Sequence, residues 1–93
     1  MFTLRSISGA ILQSKVSIAN TATLITSSLT NSRTRLLHNN GSATIYLGDS
    51  TVTTTDGYIL AAGEEKAFDI ESGVAMYGIV ETGTCELRIL EGA

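Results

Sequence analysis

Short runs of alternating apolar and polar residues, each closed by a turn signal, recur along this chain. The cleanest runs from Thr84 to Leu90, where Cys85, Leu87 and Ile89 fall on one side and Glu86 and Arg88 on the other. A period of two is the signature of an extended strand with one face toward a core, and no helix produces it. The same pattern is found around Val16 and Ile18, in Ala43–Leu47 and in Lys66–Ile70, and further short strand-like runs fall at Ala22–Ser27, Thr34–His38, Tyr58–Ala61 and Val74–Val80. Turn residues separate the runs: Asn20-Thr21, Asn39–Ser42, Gly48–Ser50, Asp56-Gly57, Gly63, Gly73 and Thr82-Gly83. Such punctuation roughly every 8–12 residues is what a sandwich or barrel requires. The expected fold is all-β, a small antiparallel β-sandwich or jelly-roll-like barrel of about seven or eight short strands.

Asn40-Gly41 is the strongest turn signal, because both residues tolerate positive φ at low cost. It predicts a hairpin joining Thr34–His38 to Ala43–Leu47. Thr51–Thr55 reads as β-prone. Residues 1–14 fit neither a period of two nor one of 3.6, and read as an N-terminal arm or a loose first strand. Residues 15–93 read as the sandwich domain.

With 93 residues the chain is long enough for one domain. A domain this small buries well under about three-quarters of its unfolded surface, and oligomerisation is a common remedy. Net charge is −3 with six basic residues spread along the chain, which argues against a nucleic-acid binder. No apolar run approaches the roughly 18 residues of a membrane-spanning helix. MFTLRSISGAILQSK is too broken by polar residues for a signal-peptide core, so use in the cytoplasm where the chain is made is expected.

The chemistry-bearing residues do not form a constellation. Cys85 is the sole cysteine and, alternating with Leu87 and Ile89, reads as a small buried hydrophobe. His38 is the sole histidine and sits on a strand just before a turn, with no acid or hydroxyl motif beside it. One His and one Cys do not make a structural zinc site. Asp49 and Asp56 bracket the threonine tract and could share a cation, but no EF-hand spacing is present and turn chemistry is the favoured reading. No catalytic, cofactor or metal site is expected.

Several segments form a recognisable theme: TATLI ending at Ile25, RLLHNNGSATIYLG at 35–48, VTTTDGYILAAGEE at 52–65 and LRILEG at 87–92. Together they resemble small virion structural proteins of tailed bacteriophages, the decoration or head-fibre-like kind. That resemblance implies a compact β-sandwich on the capsid surface of a virion, with the major capsid protein and further copies of itself, as a homotrimer, for partners. It implies no enzyme activity, cofactor, nucleic acid or membrane. Arg35 departs from the theme, standing where the pattern has an apolar residue, which argues against burial of that strand's outer half. Residues 1–15 lie outside the resemblance, and Phe2, Leu4, Ile7, Ile11 and Leu12 are the expected capsid-docking side chains. The alternative is a tail- or fibre-associated domain that binds a host glycan or receptor through Tyr46, Tyr58 and the Thr51–Thr55 loop. Tyr77 shares a phase with Ile79 and is expected in the core.

Overall fold

A computed structural model describes residues 9–25, 29, 31, 33–71 and 73–93. Eight strands form in chain order: β1 Ile11–Ala19, β2 Thr23–Ile25, β3 Thr34–Asn39, β4 Ile45–Gly48, β5 Tyr58–Leu60, β6 Glu65–Asp69, β7 Met76–Ile79 and β8 Thr84–Gly92. They make two four-stranded antiparallel sheets. Sheet A has the order β1-β8-β3-β6 and sheet B the order β2-β7-β4-β5.

The pairing is nested. β1 pairs with β8, β2 with β7, β3 with β6 and β4 with β5, as if one long hairpin had been folded over on itself. Rolling the hairpin up adds the β3–β8 and β4–β7 ladders. This is the eight-stranded jelly roll. Among the described strands, β4 and β5 are the only consecutive pair to share a sheet.

The core lies between the sheets and is built by the inward phase of each strand. Sheet A contributes Ile18, Leu37, Cys85, Leu87 and Ile89, and Ile25, Ile45, Leu47 and Leu60 come from sheet B, with Val80 just beyond it. Each such side chain contributes roughly 1.5–3 kcal/mol when fully buried. Pairing of β1 reaches back to Ile11, opposite Gly92, so the sandwich begins earlier than Lys15.

Three local expectations are corrected. Asn39–Ser42 is not a hairpin: β3 and β4 belong to different sheets, and this segment carries the chain across the barrel. Gly41 has no positive φ. Its place is fixed by crowding, since a Cβ there would run into Cys85 Sγ. Thr51–Thr55 is turn rather than strand.

Arg35 is the third correction. It points inward and is fully buried, as is Glu91, its register partner on β8. Its Nη2 donates to the carbonyls of Val74 at 2.9 Å and Glu71 at 3.4 Å, while Nε and Nη1 have no hydrogen-bond partner among the described residues. Burial lowers the Arg35 pKa from its usual value, and the negative charge of Glu91 opposes that shift.

At the opposite end of the barrel Asn39, also fully buried, satisfies both halves of its amide. Nδ2 donates to Ala43 O at 2.7 Å and Leu60 O at 3.0 Å. Oδ1 accepts from Gly41 N at 3.0 Å and from the Cys85 thiol at 3.1 Å. Its backbone carbonyl accepts from Gly63 N and its N–H donates to Glu64 O. One residue thus ties the β3–β4 and β5–β6 connections to strands of both sheets.

Candidate functional site

The two sheets differ in charge. The strands of sheet B read TLI, IYLG, YIL and MYGI, without a single Lys, Arg, His, Asp or Glu. Every charged or histidine residue placed on a described strand belongs to sheet A.

Sheet B is also apolar on both faces. Its inward phase carries Ile25, Ile45, Leu47 and Leu60. Its outward phase places Leu24 beside Tyr77, and Tyr46 between Ile79 and Ile59. Leu24 is 44% exposed and Ile59 56%, while Tyr46, Tyr77 and Ile79 are half-buried. Large apolar side chains stand side by side on this outer sheet face rather than scattered singly, which makes it the candidate interaction surface.

The outer face of sheet A is mixed, with a charged row beside a largely apolar one. Lys15, Arg88, His38 and Glu65 form one cross-strand row, and Gln13, Leu90, Leu36 and Ala67 the next. Glu86 organises the charged part. It accepts from Asn40 Nδ2 at 2.8 Å and Arg88 Nε at 2.7 Å, with Lys15 Nζ at 3.9 Å. Those contacts, the Asn40 hydrogen bond first, hold its carboxyl below the usual range. An open hollow of about 460 Å³ lies over this face, between Gln13, Lys15, Leu36, His38, Arg88 and Leu90.

A second, smaller depression of about 240 Å³ opens between the sheets beside β5 and β6. Its walls are almost wholly apolar and include Leu47, Phe68, Ile70, Val74 and Met76. Tyr58 stands at its rim, edge-on to Phe68 with ring centroids 6.5 Å apart. Lys66 Nζ lies 5.3 Å from the Tyr58 ring centroid and 3.2 Å from Glu64.

The sequence-predicted residues are dispersed. Phe2, Leu4 and Ile7 lie outside the described residues. Ile11 is 61% exposed on the outward phase of edge strand β1, whereas Leu12 takes the inward phase and is half-buried. Tyr46 and Tyr58 do not share a platform. Tyr46 shares the outer face of sheet B with Ile59, and Tyr58 takes the inward phase opposite Leu47 at the edge. Tyr77 does share a face with Ile79, but that face is the outer one, not the core.

The candidate chemical groups resolve into structural roles. Asp49 Oδ1 accepts from the N–H and hydroxyl of Thr51, and Asp56 Oδ1 from those of Thr53. These bonds hold both carboxyls below their usual range. Each acid closes its own turn. Among the described residues no three His, Cys, Asp or Glu side chains converge on one point.

The outer face of sheet B and the Arg35–Glu91 pair were not singled out from the sequence. A usable signal for the former is the run of strands that lack charge altogether. Comparison with known proteins returned no matching family model, no matching curated protein and no matching solved structure.

Proposed function

We propose that this chain is a non-enzymatic structural component of a tailed-phage virion, a capsid decoration or cementing protein that binds the head surface as a homo-oligomer. The observation that carries the reading is the uncharged, apolar outer face of sheet B. A face of this kind suits burial against protein rather than the processing of a small molecule. Two further points support it. The sequence segments quoted above resemble such proteins, and the jelly roll is a frequent architecture of viral capsid and lectin domains, which is support by fold analogy alone. The mechanism is burial of weak apolar surfaces at many sites on one lattice, so that avidity holds neighbouring capsid subunits together. Exposed Ile11, at the start of an edge strand, is the described residue offered for contact with the shell.

The test is to mix purified protein with capsids that lack it. Saturable binding at a fixed number of copies per capsid is the expected result. Absence of binding, or binding without saturation, refutes it. The alternative, recognition of a host glycan by a tail or fibre domain, has less support because Tyr46 and Tyr58 lie on opposite faces. It predicts glycan-array binding that Tyr58→Ala abolishes.

A further inference from the structure

Both sheets present an outer face to solvent, and only that of sheet B carries no charge. The chain as a whole carries a net charge of −3, so copies repel each other at long range. Contact through the outer face of sheet A would press Lys15, Arg88, Glu86 and Glu65 against the same residues of a second copy. Like charges would be opposed or stripped of water, which is costly. Contact through the outer face of sheet B does neither, because no residue of β2, β4, β5 or β7 is charged.

A surface that meets its own copy must be complementary to itself. Apolar side chains satisfy that condition in any register. Tyr46 and Tyr77 satisfy it too, since a phenol both donates and accepts. We infer that the outer face of sheet B is the self-contact of this protein, with Leu24, Tyr46, Ile59, Tyr77 and Ile79 of one copy packed on those of another. The inference rests on the structural-component reading and adds to it a division of labour: sheet B meets copies, and sheet A, with exposed Ile11 at the start of β1, stays free for the shell.

Size sets the strength. Four strands about 4.8 Å apart and three to four residues long cover roughly 200 Å² in projection. That is well short of the roughly 800 Å² per partner of a standard stable interface. The contact is therefore weak in free solution, and it is reinforced when copies are held side by side on a lattice.

Sedimentation equilibrium over about 10 μM to 1 mM, concentrations at which a weak contact populates, tests this without any capsid present. The expected result is a mass that rises with concentration from one copy to a defined species of two or three. Ile59→Glu and Leu24→Glu each raise the dissociation constant at least about tenfold, the effect of some 1.4 kcal/mol, while Lys15→Ser on the other face leaves it unchanged. Circular dichroism confirms the fold of each variant, and two independent substitutions guard against one of them failing to fold. A parent protein that stays monomeric to 1 mM, or Glu variants that associate like the parent, overturns the inference. So does a monomeric parent whose capsid binding is lost in Ile59→Glu, because the face would then belong to the shell. Self-association without any capsid binding upholds the contact and removes the virion reading instead.

Discussion

Arg35 and Glu91 face each other across β3 and β8 in the interior of the sandwich, and neither side chain reaches solvent. Here two opposite charges lie at one end of an apolar core, where burial lowers the Arg35 pKa and the charge of Glu91 opposes that shift. The guanidinium spends only Nη2, on two carbonyls. Breaking such a pair by removing one partner is far more costly than replacing both.

Glu91→Gln is therefore expected to lower the unfolding free energy by about 3 kcal/mol, because it leaves Arg35 as an uncompensated buried charge. Arg35→Met combined with Glu91→Leu is expected to recover most of that loss. Urea denaturation of the three proteins checks the order. If the double variant is the least stable, the pair is a net stabiliser and this account is wrong.

Asn39 holds one end of the barrel by satisfying two carbonyls, one N–H and a thiol. Asn39→Leu keeps the volume and strands those partners, for a loss of roughly 2–4 kcal/mol. At this chain length that is a fall in Tm of roughly 10 °C or more. Asn39→Asp should do as badly, since a carboxylate cannot donate to the Ala43 and Leu60 carbonyls. A thermal melt of Asn39→Asp that matches the parent would contradict the assignment.

Gly41 is required by contact rather than by φ. Gly41→Ala should cost about 1–3 kcal/mol through overpacking against Cys85. The same substitution in a Cys85→Ala background should cost clearly less, because the obstructing sulfur is gone. A double-mutant cycle reads this coupling, and strict additivity would refute it.

Acid stability carries the signature of the hydrogen-bonded carboxylates. Glu86, Asp49 and Asp56 all titrate below their usual values in the folded chain, Glu86 chiefly through Asn40 and the two aspartates through Thr51 and Thr53. A depressed folded pKa gives stability that is present above the unfolded value, about 4 for these groups, and lost as pH falls through the lower folded value. Unfolding followed from pH 7 down to pH 2 should thus show a decline confined to the acid side of about pH 4. Glu86→Gln should flatten part of that decline and leave the profile unchanged above it.

The local sequence determined that this chain is all-β, where most of its strands fall, and which side of β8 is buried. These are local consequences of a two-residue period: Cys85, Leu87 and Ile89 can enter a core together only by leaving Glu86 and Arg88 outside. That information is strongest where polar and apolar residues alternate, and it vanishes where both phases are apolar. β7 shows this, for Met76 and Gly78 turn inward while Tyr77 and Ile79, no less apolar, turn out. The tertiary structure alone decided strand partnership. A turn signal such as Asn40-Gly41 reports that the chain changes direction, not whether the next strand returns beside the last or crosses to the other sheet. Nested pairing of β1 with β8 and β2 with β7 brings together residues far apart in sequence. For the same reason the burial of Arg35 was invisible locally: its compensating charge, Glu91, lies at the far end of the chain and becomes its neighbour only once β3 and β8 are paired.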